Sequence, residues 1–276
     1  MLDYVYSLNL NELLSYDDQD DDDLVPTELN SVFSELGAIN VQGMFHCNGL
    51  LYFRLLGKSY LVNPATRESN KLPRAPRLQG EYGPFPNNLY GFGFDYSIDD
   101  YKVVNGQICW QNGDLVVQFS VCTLKAGSWR VIERQFPYSI PEYSQYPPRN
   151  FTGILLNGGL HWLMYKVGGD SLLSVCFLLE EEKVREIQLP VGCFYSIDNP
   201  LVELGVFREN KLFITTVRDN RGYSYGGIWV LMEYGVRESW TKATVVVPYC
   251  HSLRFCFWRK SHDLVVSDGD LLLYEL

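Results

Sequence analysis

A short unit recurs along this sequence: a polar or glycine turn followed at once by an apolar, aromatic strand. It reads Cys47-Asn48-Gly49-Leu50-Leu51-Tyr52-Phe53, then Asn157-Gly158-Gly159-Leu160-His161-Trp162-Leu163, Glu209-Asn210-Lys211-Leu212-Phe213-Ile214 and Ser261-His262-Asp263-Leu264-Val265-Val266. A related turn, Ser97-Ile98-Asp99-Asp100 ahead of Tyr101-Lys102-Val103-Val104, fills the gap between the first two. The turns fall about fifty residues apart, within the range of a four-stranded propeller blade. Such a period constrains the fold strongly, because one small sheet cannot hide both of its faces and must stack on its neighbours.

Each first hairpin is followed by a second. The second hairpins run Tyr60-Leu61-Val62-Asn63-Pro64-Ala65-Thr66, Ser120 to Ile132 around Ala126-Gly127, Val175 to Ile187 around Glu180-Glu181-Glu182, and Ile228 to Lys242 around Gly235. Two hairpins per unit make a four-stranded antiparallel blade. Aromatic residues are 14% of the chain, a composition suited to pleated, half-buried surfaces. Helical spacing is confined to the stretch from Thr27 to Leu36. The expectation is an all-β propeller, with Trp129 and Trp240, which follow the second turns, packed between blades. Residues 41–276 hold about four and a half blades, so the ring is expected to be incomplete at its C-terminus. Residues 1–40, a strand from Leu2 to Leu10 and an acidic loop, are expected to take part in closing the propeller.

The formal charge of −10 argues against a nucleic-acid or anionic-membrane surface, both of which call for a basic footprint. Asp17-Asp18-Gln19-Asp20-Asp21-Asp22-Asp23 supplies six of those negatives and lacks the spacing of a calcium loop, so it reads as a solvated loop. The seven cysteines are odd in number, without C-x-x-C spacing, and sit mostly in apolar runs. That pattern fits reduced, buried thiols in an intracellular protein, cytoplasmic, nuclear or both. The start carries no signal-peptide pattern.

Taken in order, several segments resemble the F-box-associated domain of plant F-box/kelch-type proteins. They are Cys47-Asn48-Gly49-Leu50-Leu51, Asn63-Pro64-Ala65-Thr66-Arg67 with Leu72-Pro73, Tyr90-Gly91-Phe92-Gly93-Phe94-Asp95 with Asp99 to Val104, Ser128-Trp129-Arg130, Asn157 to Trp162, and Trp229 to Lys242. The resemblance implies a kelch-like β-propeller that is the substrate receptor of an SCF-type ubiquitin ligase. It implies as partners a target protein held by this domain, and the Skp adaptor and cullin where an F-box is present. Such a receptor works by proximity, raising the effective concentration of a target lysine at the conjugating enzyme. Set against the family, the sequence is expected to lack the F-box segment and to begin where the associated domain normally does. A receptor for basic ribonucleases of the S-locus type, a decoy that binds without degradation, and a propeller enzyme are the rival readings.

No catalytic, cofactor or metal residues are expected. His46, His161, His251 and His262 are far apart and form no H-x-x-x-H or H-E-x-x-H set, and His161 reads as a strand histidine with a structural hydrogen bond. Gly91-Phe92-Gly93 lacks the third glycine and following helix of a phosphate loop and reads as strand. The protein-binding candidates lie in three loops rich in proline, tyrosine and arginine, residue types suited to interface anchors. They are Tyr138, Tyr143, Tyr146 and Arg149 between Phe136 and Arg149, Arg218, Arg221, Tyr223 and Tyr225 between Arg218 and Tyr225, and Phe85 between Tyr82 and Pro86.

Overall fold

The computed structural model describes the backbone of residues 6–7, 27–28, 41–55, 57–77, 80, 88–139, 152–169, 172–191, 201–207, 211–220, 223–248, 254–257, 263–267 and 271–275. Side chains are described from 45 to 242 within these segments, except at position 55 and in parts of the strands between 201 and 227.

β1 (Tyr6–Ser7) pairs antiparallel with β2 (Thr27–Glu28). Thr27 and Glu28, expected at the start of a helical stretch, are therefore strand. The sheet that follows is β3 (Val41–Cys47), β4 (Leu50–Leu55), β5 (Lys58–Asn63) and β6 (Glu68–Lys71), in that spatial order. β7 (Asn88–Asp95), β8 (Asp100–Gln111), β9 (Asp114–Thr123) and β10 (Ser128–Phe136) form the second four-stranded meander. In the third sheet, β13 (Gly159–Lys166), β14 (Leu172–Leu178) and β15 (Val184–Gln188) are joined by a divided first strand: β12 (Ile154–Leu156) pairs with one end of β13 and β11 (Tyr138–Ser139) with the other. β16 (Leu201–Phe207), β17 (Lys211–Asn220), β18 (Tyr223–Leu231) and β19 (Trp240–Pro248) make the fourth. β20 (Arg254–Phe257), β21 (Asp263–Ser267) and β22 (Leu271–Glu275) make a three-stranded fifth. The one helical feature among the described residues is a 3-10 turn, Arg237–Ser239.

Turn chemistry sets the registers. Asn48-Gly49, Asn112-Gly113 and Asn157-Gly158 are two-residue connections with positive φ at both positions. That backbone twist matches the twist of paired strands, and asparagine and glycine tolerate it best. The longer turn between β5 and β6 is closed by Asn63, whose Oδ1 accepts from the Ala65 amide at 3.0 Å.

The core consists of layers between successive sheets. Phe45, Tyr52, Leu61 and Leu72 of the first sheet meet Phe92, Val103 and Cys122 of the second. Leu89, Val104 and Phe119 of the second meet Leu160, Trp162 and Phe177 of the third. Leu163 and Ile187 of the third meet Ile214, Leu231 and Trp240 of the fourth. Stacking of small antiparallel sheets face to face is the architecture of a β-propeller.

Gly91 and Gly93 show how tight one seam is. A Cβ at Gly91 would lie 2.5 Å from Leu160 Cδ1, and one at Gly93 would lie 2.6 Å from Leu179 Cδ1. The G-F-G run is thus a strand whose glycines admit the leucines of the next sheet, while Phe92 is buried on its other face against the first sheet. Cys47, Cys109, Cys122 and Cys176 are buried free thiols.

Candidate protein-binding rim and cleft

Strand direction alternates within each sheet, so the connections sort onto two rims. The turns from first to second and from third to fourth strand lie on one rim. Second-to-third turns and the sheet-to-sheet connections lie on the other. Contacts across the seams agree. Tyr101, just past the β7–β8 turn, donates its hydroxyl to the Asn48 carbonyl in the β3–β4 turn. Lys102 reaches the Leu179 carbonyl and Glu182 at the β14–β15 turn.

That first rim carries buried polar chemistry. Lys102 Nζ lies 2.6 Å from Asp95 Oδ2 and 2.9 Å from Glu182 Oε1, and Arg130 also pairs with Glu182. Burial alone would raise both acids' pKa, but the bonds from Lys102 and Ser97 to Asp95, and from Arg130 and Lys102 to Glu182, outweigh it and hold both below their ordinary values. At the next seam His161 is fully buried, with Nδ1 3.1 Å from the Ile154 carbonyl and Nε2 2.7 Å from the Tyr234 hydroxyl. Nδ1 therefore carries the proton and Nε2 accepts from Tyr234. Burial lowers the His161 pKa to about 4, and it pushes the adjacent Cys176 thiol up to about 11. A neutral imidazole and a protonated thiol hold a seam together but make no activated nucleophile at neutral pH.

The second rim holds a cleft between the first and second sheets, with a volume of about 550 Å³. Arg54 lies at the end of β4, with its guanidinium carbon 3.8 Å from the centre of the Tyr90 ring. Arg74 and Arg77 stand on the connection that leaves β6, and all three arginines line the cleft. That connection is pinned in place. The Leu72 amide donates to the Ser59 carbonyl at 2.9 Å, Trp129 Nε1 to the Pro73 carbonyl at 2.8 Å, and Gln107 Nε2 to the Pro76 carbonyl at 2.6 Å. Asn105 and Gln107 on β8 form the floor, beside Tyr52, Asn88 and Tyr90. The Tyr52 hydroxyl, 3.0 Å from Ser59 Oγ, is pushed up to about 12 by burial.

Residues 3–272 match the model of the F-box associated beta propeller domain. This chain belongs to that family. Among curated relatives, F-box protein At4g22390 of Arabidopsis thaliana is 28% identical over 66% of this chain and 46% of its own length. F-box protein CPR1 of the same plant is 29% identical over 67% of this chain and 47% of its length. F-box/kelch-repeat protein At3g23880, also of that plant, is 25% identical over 87% of this chain and 60% of its length. The chain thus spans about half the length of the curated relatives it matches.

Within the F-box-associated propeller, the strands flanking 72–87 and 221–222 end at the second rim, where the cleft opens, and β10 ends there ahead of β11. Individual residues need correction. Tyr138 is only 6% exposed, packs in the layer between the second and third sheets, and donates its hydroxyl to Glu186 Oε1 at 2.8 Å. It anchors β11 and offers no contact surface. Arg218 and Tyr225 are not in a loop but are register partners on β17 and β18, while Tyr223 pairs with Asn220. Tyr143, Tyr146, Arg149, Arg221 and Phe85 lie outside the described residues.

Sequence reasoning missed the cleft because its residues come from five separate strands, a turn and one connection. One signal was legible. Arg74-Ala75-Pro76-Arg77, directly after Leu72-Pro73, is a basic, proline-stiffened segment in an acidic chain.

Proposed function

We propose that this propeller is the target-recognition part of an F-box ubiquitin-ligase receptor, and that it does no chemistry of its own. The observation that carries the reading is the family match from residue 3 to 272, which runs from ahead of β1 into β22. F-box proteins among its relatives support a role in holding a substrate. In this reading the second rim holds the target protein, and an F-box in the full-length gene product docks on the Skp adaptor and through it on cullin. The buried free thiols favour a working place in the reducing cytoplasm or nucleus.

Quantitative affinity capture of the full-length gene product from plant cells, with the proteasome inhibited, tests the proposal. Skp and cullin should co-purify in stoichiometric amounts, together with a protein that gains ubiquitin when the receptor is overexpressed. Capture of a target with neither Skp nor cullin would contradict the ligase reading and favour a decoy.

A further inference from the structure

The cleft between the first and second sheets differs in charge from the molecule around it. The chain carries −10 overall, yet the cleft lining has Arg54, Arg74 and Arg77 and, among the described residues, no carboxylate. Arginine is the side chain suited to planar, forked recognition of carboxylate and phosphate. Arg54 holds its guanidinium carbon 3.8 Å from the centre of the Tyr90 ring, a cation–π contact that fixes the charge at the cleft wall. Arg74 sits between two pinned carbonyls, those of Pro73 and Pro76, so little backbone freedom remains to be lost when a ligand arrives.

An independent observation points to the same place. Asn105 on the cleft floor is 2% exposed, and its Oδ1 has no hydrogen-bond donor among the described residues. A buried amide oxygen left unpaired bears its desolvation cost without compensation. That oxygen is closed to a water-sized group, so the arginines set what enters: they call for an anion, which an acidic or phosphorylated side chain on a peptide segment supplies. The cleft volume suits a few side chains rather than a folded surface.

We propose that this cleft binds an anionic side chain, carboxylate or phosphate, presented on a peptide segment of the target. The inference rests on the receptor reading and names the chemistry of what the receptor holds. The anion lies among the guanidinium groups of Arg54, Arg74 and Arg77.

The test is fluorescence polarisation with the full chain and labelled Gly/Ser peptides bearing a central aspartate pair, a phosphoserine or an asparagine pair. Inorganic phosphate serves as a competitor. The two anionic peptides should bind about tenfold or more tighter than the asparagine peptide, and their relative affinities assign carboxylate or phosphate. Binding should weaken as salt is raised. Arg54→Gln, Arg74→Gln and Arg77→Gln should each weaken it several-fold, while Arg185→Gln, outside the cleft, leaves it unchanged. Asn105→Asp, which places a negative charge on the floor, should weaken the anionic peptides and not the neutral one. Equal binding of charged and neutral peptides, or unchanged binding by the cleft variants, would overturn the proposal. So would phosphate competing as well as it would against a bare anion site, with affinity equal to that of the phosphopeptide. If the peptides fail while full-length protein still captures Skp, cullin and a target, the cleft inference alone falls. If they bind while no ligase assembly is captured, the receptor reading alone falls.

Discussion

Trp240 is joined to Gln188 across a sheet boundary: its indole N–H donates to the Gln188 carbonyl at 3.0 Å. Trp129 makes the equivalent bond to the Pro73 carbonyl at 2.8 Å, one pair of sheets earlier. In both cases a tryptophan in the first two residues of an outer strand reaches the end of the preceding sheet's outer strand, where the sequence reads Lys71-Leu72-Pro73 or Gln188-Leu189-Pro190. The repeat is thus a physical clasp as well as a pattern. Trp129→Phe and Trp240→Phe keep much of the packing but remove the donor. Each should lower stability by about 1 kcal/mol, read as a lower urea midpoint. Because the two clasps belong to different seams, their effects should add.

The seam between the second and third sheets relies on charge instead. Lys102 and Asp95 are both buried, so Lys102→Met leaves a carboxylate without its partner. The loss should be about 3–5 kcal/mol in equilibrium unfolding. Lys125→Met, which breaks the exposed pair with Asp99, should change stability by about 0.5 kcal/mol or less.

Acid should weaken the seam at His161. Its folded pKa, about 4, lies below the ordinary value of 6.5, so the unfolded chain binds the proton more readily. The contribution is complete above pH 6.5 and declines as pH falls toward 4. Integrated over that window it amounts to about 3 kcal/mol. Unfolding free energies measured from pH 7 to 4.5 should fall, and His161→Gln should flatten that slope. Unchanged slope in the variant would count against the assignment.

Gly91→Ala should cost about 1–3 kcal/mol through overpacking against Leu160. A second substitution, Leu160→Val, makes room for the new methyl. The double variant should therefore be more stable than the sum of the single losses allows, as a thermal or urea double-mutant cycle will show.

The sheets were legible in the sequence because their signals are local. Asn-Gly turns and alternating apolar strands each act within one hairpin, so they foretold the turns of β3–β4 and β12–β13 closely. The placement of Trp129 and Trp240 between blades was legible for the same reason, while their hydrogen bonds to the preceding sheet were not. The cleft was not, since Arg54, Arg74 and Asn105 meet only through the stacking of two sheets. Tyr138 shows the reverse error. Its proline-rich neighbourhood reads as a contact loop, but two residues of strand pairing with Lys166 and Tyr165 turn its ring into the core. Arg218 and Tyr225 were misread because a short polar turn made the whole segment look like loop, whereas β17 and β18 run on to Asn220 and from Tyr223.

The central claim, that the second rim holds a protein target, is tested most directly by site-specific photo-crosslinking. A photoreactive residue is placed at Arg74 beside the cleft, or at Ile98 on the opposite rim, in full-length protein in plant cells. The account requires a discrete protein adduct from position 74 and none from position 98. Adducts from position 98 alone, or the same adducts from both, would contradict it.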